Sequence, residues 1–385
     1  MSENKQAYIS HVHLKGYKSI RDMEIDLLPG LNIIIGPNGS GKTNFIDGLL
    51  EQALAPKFNQ KTFSMIELRD TKDDIYTWLF QITKTNNVER QGFFDELEAK
   101  GKGEIRKNNK LIAEFNDVYQ SYRALQENLK ADFFKIFNPT IIVFGNIGNT
   151  ELLNVYTGIK IDFQNKNISG KLWIRPFEKD IVTDFNFNIN TFENFKESTL
   201  IKEFEFKKEI IENLVKFTPI KAVKLKDQFV FNKNPKNKQI FVDFLLLEFQ
   251  VNDAWFTWNE LSDGTKRIFT IITKIVQWNG LILLEEPELG IHPDQLYLLM
   301  DFLKEQSKEK QIIITTHSPE VINILNKDEL DRIIVTRYDA EKGTQMHHLS
   351  PKQIRKGQIY MKEVGYLSNF WVHSNLEEYE EQDAE

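Results

Sequence analysis

Apolar and polar positions alternate along Tyr8-Ile9-Ser10-His11-Val12-His13-Leu14 and again along Met23-Glu24-Ile25-Asp26-Leu27, the period-two pattern of half-exposed antiparallel strands. Leu31-Asn32-Ile33-Ile34-Ile35 is almost continuously apolar. That run predicts a buried central strand, with Pro29-Gly30 as the turn before it. Asn44-Phe45-Ile46-Asp47-Gly48-Leu49-Leu50 predicts the first turns of a helix. Ile75, Trp78, Leu79 and Ile82 fit helical spacing, although the same segment also reads as a strand. From Lys110 to Phe137, the residues Leu111, Phe115, Val118, Tyr122, Leu125 and Leu129 step by four and three, a heptad-like seam with polar flanks. It predicts a helix of about 28 residues, about 40 Å long at ~1.5 Å per residue. Pro139 ends it. Such a helix either packs against a core or projects as an arm for a partner or for self-association.

Beyond the proline, residues 140–260 read mainly as strands, at Ile141–Phe144, Lys171–Ile174, Thr183–Ile189 and Gln239–Val251, with one helix near Leu200–Lys216. A further helix is predicted from Ile268 to Trp278. Two more apolar runs, Leu281-Ile282-Leu283-Leu284 and Ile312-Ile313-Ile314, predict buried strands that end in polar residues. The tail Glu377–Glu385 is acidic and reads as a solvated terminus.

Composition narrows the class. The chain has 385 residues, enough for two or three domain-sized units or one domain with a large insertion, and 41% hydrophobic residues supply a sizeable core. A net charge of −7 argues against a generally basic, nucleic-acid-coating protein while leaving room for a local basic patch. With no cysteine, a disulfide framework, a thiolate metal site and a cysteine nucleophile are excluded. No run approaches the length of a membrane helix, and the polar N-terminus predicts no signal peptide. The expectation is a soluble, cytoplasmic protein with no membrane partner.

The candidate chemistry begins at Gly36-Pro37-Asn38-Gly39-Ser40-Gly41-Lys42-Thr43, a complete phosphate-binding loop set between a predicted strand and a predicted helix. Its glycines let successive backbone N–H groups turn around an anion, and the helix N-terminus adds its dipole. Lys42 can reach the β and γ phosphates, and the Thr43 hydroxyl can hold Mg²⁺. Ser262-Asp263-Gly264 before a helix offers a second anion site or a simple cap. Glu285 and Glu286 follow a buried strand, at the end where parallel α/β sheets bind ligands. One acid can hold Mg²⁺ and the other can polarise a water. His317 closes the last buried strand in Thr315-Thr316-His317-Ser318-Pro319, where a histidine is either structural or within reach of a γ-phosphate.

The order of these motifs resembles the ATP-binding-cassette ATPases. Leu14-Lys15-Gly16-Tyr17-Lys18-Ser19-Ile20, Glu286-Pro287-Glu288, Ile291-His292-Pro293 and Thr315–Pro319 are similar to the RecF, structural-maintenance-of-chromosomes (SMC) and OLD branch rather than to transporter cassettes. The resemblance implies an α/β P-loop NTPase fold with a mixed sheet, an N-terminal antiparallel β subdomain and a helical insertion. It implies a nucleotide-binding domain over 1–60 and 141–376, whose second lobe begins near 255. A helical, coiled-coil-like arm would occupy 61–140 and an acidic tail 377–385. It also implies ATP and Mg²⁺ as cofactors, with Gly36, Asn38, Gly39, Ser40, Gly41, Lys42, Thr43 and Asn44 on the nucleotide. Thr43 and Glu285 would serve the metal, Glu286 would be the general base and His317 the switch histidine. Ser262 and Gly264 would contact the γ-phosphate of a second subunit, so the resemblance implies an ATP-sandwiched dimer or higher oligomer. Glu285 stands where the family usually has Asp. Gln81 is the candidate for the Mg²⁺-sensing glutamine between the lobes. The segment after Pro319 shows no toprim acidic cluster, so the chain looks like an ATPase without its own nuclease. It is similar to the ATPase subunits of phage-defence systems such as PARIS or Septu, which work with a separate effector such as a toprim-like nuclease. The alternatives are a RecF-like repair ATPase that binds DNA, or an ATP-binding scaffold with little turnover.

Overall fold

A computed structural model describes residues 6–54, 62–86, 98–117, 140–143, 155–164, 167–174, 183–185, 192–193, 196, 204–206, 208–226, 230–245, 247–277 and 280–373. The chain divides into two compact units, one of residues 1–144, 279–288 and 303–385, the other of residues 145–278 and 289–302. The helices are α1 (Lys42–Leu54), α2 (Lys208–Phe217), α3 (Asp263–Gln277), α4 (Pro293–Gln306), α5 (Pro351–Glu363) and α6 (Leu367–His373). No helix among the described residues is long and apolar enough to cross a membrane.

The first unit is built on one twelve-stranded mixed sheet. Its strands are β1 (Tyr8–Tyr17), β2 (Ile20–Asp26), β3 (Leu31–Ile35), β4 (Phe63–Arg69), β5 (Ile75–Asn86), β6 (Glu98–Lys107), β7 (Lys110–Asp117), β8 (Thr140–Val143), β18 (Ile282–Glu285), β19 (Ile312–Thr316), β20 (Ile333–Asp339) and β21 (Gly343–His348). They run in the order β7-β6-β5-β4-β1-β2-β21-β20-β3-β19-β18-β8. Neighbours from β20 to β8 are parallel, and those from β7 to β20 are antiparallel. The continuous apolar runs β3, β18 and β19 are buried at every residue, as strands covered on both faces must be. The alternating β1, β2 and β4 are buried largely on one face. That face packs with Phe45, Ile46 and Leu49 of α1 in a core shared with Leu14, Ile20, Ile66 and Trp78. Gln311, buried just before β19, accepts from the Ile9 N–H and donates to the Ile9 carbonyl, both at 2.9 Å, so its amide stands in for a strand partner.

The helical reading of 61–140 is corrected over its described part. β4 to β7 form an antiparallel meander. Tyr76, Trp78 and Phe80 are buried at period two. Trp78 and Phe80 stack with Phe115 of β7, with ring centroids 6.4 and 5.7 Å from it. The spacing of Ile75, Trp78, Leu79 and Ile82 is a coincidence that passes over Tyr76 and Phe80. Asn108 and Asn109 both take positive φ, 47° and 64°, the requirement of a two-residue hairpin turn between β6 and β7. Leu111 and Phe115, the first two residues of the supposed seam, therefore sit on a strand, one exposed and the other buried. The remainder of the seam, Val118 to Leu129, and the acidic tail lie outside the described residues.

In the second unit, β9 (Val155–Asp162), β10 (Asn167–Ile174), β14 (Val230–Asn234) and β15 (Gln239–Leu245) form a four-stranded sheet in the order β10-β9-β15-β14. β11 (Thr183–Phe185) pairs with β12 (Phe204–Phe206), so the helix expected from Leu200 begins only at Lys208. β13 (Ile220–Leu225), β16 (Leu247–Val251) and β17 (Ala254–Thr257) make a third sheet. Phe249, Trp258 and Phe269 pack edge-on or tilted at 5.2–5.5 Å, which fixes the start of α3 against β16.

Candidate functional site at the ends of the parallel strands

β3, β18 and β19 are parallel neighbours, so their C-terminal ends open on one side of the sheet. The phosphate loop leaves β3 and enters α1 at Lys42. Gly39 and Gly41 take φ of 80° and 101°, a region that favours glycine. At Gly41 space is short as well, because a Cβ there would lie 2.0 Å from Thr344 Oγ1 of β21. At Gly36 it would lie 2.2 Å from the Thr336 carbonyl of β20. The β20–β21 hairpin is thus the floor under the loop. Asn38 is exposed, whereas Ser40 is buried and its hydroxyl has no partner. Asn44 turns its amide to Ser19 Oγ at 2.6 Å, and Ser19 Oγ lies 2.7 Å from Thr344 Oγ1.

Lys42 is buried, and its ammonium donates to the carbonyls of Gly36 at 2.7 Å and Pro37 at 3.0 Å. Burial pushes its pKa down, opposed by the carboxylates of Glu286, Glu288 and Glu285. The Thr43 hydroxyl donates to Glu285 Oε1. Burial pushes the Glu285 carboxyl up, against that hydrogen bond. Glu286 takes a left-handed backbone, φ 45°, and its N–H donates to the Thr315 carbonyl at 2.8 Å. A left-handed glutamate is a strained arrangement that surrounding structure must enforce. Its Oε1 lies 2.9 Å from His317 Nδ1. Sequence reasoning assigned no role to Glu288 or Thr316. Glu288 is buried, accepts from the Thr316 hydroxyl and comes within 3.9 Å of His317 Nδ1. Only its place in the strand-end phrase could have drawn attention to it.

The donor set fits Mg·ATP. A hydroxyl and a carboxylate are the hard oxygen ligands Mg²⁺ takes, with phosphate oxygens and water completing its shell. Among the described residues no group of three or more His, Asp or Glu side chains could hold a metal alone. The buried Ser40 hydroxyl, unpartnered within the protein, and the left-handed glycines suit an anion in the loop.

Lys42, Thr43, Glu285, Glu286 and His317 are brought together in the first unit. Ser262 and Gly264 belong to the second. Ser262 is exposed and caps α3, its Oγ accepting from the Thr265 N–H at 3.2 Å. Gly264 packs so closely that a Cβ would lie 2.8 Å from the Gly290 carbonyl. Arg267 donates to the Leu289 carbonyl at 2.5 Å, holding the same loop to α3. Gln81 is exposed on β5 opposite Phe63, a strand position within the meander rather than a loop between lobes.

Residues 156–323 match the family described as AAA domain, putative AbiEii toxin, Type IV TA system. A chromosome partition protein Smc from Methanococcus voltae is 42% identical over 60 residues, 14% of this chain and 5% of that protein. A DNA replication and repair protein RecF from Desulfitobacterium hafniense is 46% identical over 41 residues, 11% of each. The chain thus spans a small part of these relatives. An SMC head bound to the C-winged helix domain of ScpA superposes with a TM-score of 0.53 at 16% identity, covering 91% of this chain and 99% of that one. An SMC head derived from Pyrococcus furiosus, bound to the C-terminal domain of ScpA, gives 0.52 at 14%, covering 93% and 100%. The fold is that of an SMC head.

Proposed function

We propose that this chain, an AAA-domain protein of the RecF and SMC branch of ABC-type ATPases by sequence and fold, hydrolyses ATP between two copies of itself and so switches a partner. The observation that carries the reading is the convergence of Lys42, Thr43, Glu285, Glu286 and His317 at the ends of three adjacent parallel strands. Mg²⁺ held there would supply charge neutralisation on the phosphates. The loop amides and Lys42 hold the phosphates, the ammonium leaving the carbonyls of Gly36 and Pro37 to do so. Thr43 and Glu285 hold the metal. Glu286 orients the attacking water and takes its proton, and His317 donates to the γ-phosphate. Ser262 and the α3 N-terminus of a second copy complete the site, so turnover depends on dimer closure.

The finer reading is an ATPase that acts on a separate effector, in anti-phage defence. Two findings support a separate partner. The matched family is described by a putative toxin of a TA system, and the SMC heads of like fold are bound to ScpA domains. The test is ATP binding by calorimetry and phosphate release with Mg²⁺, wild type beside Lys42→Ala. Removing a charge-assisted contact worth about 1.5–3 kcal/mol weakens binding roughly tenfold to a hundredfold or more. Equal binding by both proteins refutes the assignment of the loop.

A further inference from the structure

His317 Nδ1 faces two carboxylates, Glu286 at 2.9 Å and Glu288 at 3.9 Å. The two are held differently. Glu286 sits half-buried on a left-handed backbone at the open end of β18, free to turn toward a water. Glu288 is buried, and its Oε1 is fixed by the Thr316 hydroxyl. Thr316 is itself fully buried, and its Oγ1 accepts the Ser318 N–H at 2.9 Å, so the carboxyl group is anchored to the chain on both sides of His317. The second oxygen, Glu288 Oε2, is buried without any hydrogen-bond partner. A buried carboxyl with one oxygen unpaired is costly.

The oxygen that faces His317 is Oε1, which also accepts from Thr316, and the proposed reaction gives it a second use. If Glu286 leaves His317 to hold the attacking water, the imidazole loses the acceptor that orients its Nδ1–H and leaves Nε2 toward the nucleotide. We infer that Glu288 is a positioning residue, which accepts the Nδ1–H of His317 when Glu286 turns to water. The inference rests on the ATPase reading of the same site. A shift of about 1 Å, well within the tilt of one imidazole ring, closes the 3.9 Å gap to a hydrogen bond. No bond to phosphorus involves Glu288, which acts only through His317.

The test is a double-mutant cycle in the full chain. Glu288→Ala and His317→Ala are made singly and together, with kcat, KM and ATP affinity measured for each. The expected result is a fall in kcat of about tenfold or more in Glu288→Ala with ATP affinity unchanged. In the His317→Ala background the same change then has no further effect. Glu288→Gln keeps an acceptor for the Thr316 hydroxyl, guards against simple misfolding, and loses less activity than Glu288→Ala. Independent, multiplying losses in the two single variants overturn the positioning role, as does unchanged kcat in Glu288→Ala. A wild-type protein that binds ATP without turnover, no faster than Glu286→Gln, refutes the ATPase reading itself and is distinguished by that control.

Discussion

The hydroxyl of Thr43 donates directly to the carboxylate of Glu285, joining the first turn of α1 to the end of β18. An aspartate at this position is one methylene shorter, so its hold on the Thr43 hydroxyl is weaker. Glu285→Asp is expected to keep ATP turnover within about tenfold and to need less Mg²⁺ for half-maximal rate. Glu285→Ala removes the metal carboxylate and loses most Mg²⁺-dependent turnover. A magnesium titration of phosphate release checks both, and an unaltered Mg²⁺ dependence in Glu285→Ala refutes the metal role.

Glu286→Gln removes the proposed base while keeping its shape. Turnover should fall by about 10²- to 10⁴-fold while ATP binding persists, and an ATP-bound dimer should accumulate on size-exclusion chromatography. An unchanged hydrolysis rate would sink the assignment.

Ser262→Arg places a long cation at the exposed start of α3, in the unit that does not contain the phosphate loop. One-chain ATP binding should survive while the ATP-dependent dimer and turnover are lost. Normal dimers by light scattering would show that Ser262 does not act across subunits.

Phe115 is 2% exposed and stacks on Trp78 and Phe80. Phe115→Ala should destabilise the first unit by about 3–5 kcal/mol, read by denaturant unfolding of tryptophan fluorescence. A surface arm would give nearly no change, so this variant also tests the meander against the helical alternative.

His347 has its pKa lowered from 6.5 to about 4, by burial first and by Arg337 and His348 after it. The unfolded chain therefore binds the proton more readily than the folded one, and stability rises with pH across this window. The contribution is intact above pH 6.5 and is lost as the pH falls toward 4. Melting temperatures of wild type and His347→Leu should converge or cross as the pH drops through that range. Parallel pH profiles would contradict it.

The legible parts of the site were the local ones. Gly36 to Thr43, the paired acids after Leu281–Leu284, and His317 after Ile312–Ile314 each carry their signal within one strand and its exit, so period and motif sufficed. The meander was not legible from apolar spacing, because a four-residue step from Leu111 to Phe115 is also an even number of strand positions. Asn108-Asn109 was the better signal, since paired left-handed asparagines make a hairpin turn. The contact of Glu288 with Thr316 and that of Gln311 with Ile9 are long-range pairings, fixed only when distant strands come into register.

Thr336 and Thr344 press against Gly36 and Gly41 from about three hundred residues further along the chain. During synthesis the loop therefore emerges long before its floor. A ribosome-bound chain that has not yet released β20 and β21 carries the nucleotide motif in full but lacks the surface that shapes it. The loop takes its final shape only once Thr336 and Thr344 have been made and β20 and β21 have joined the sheet.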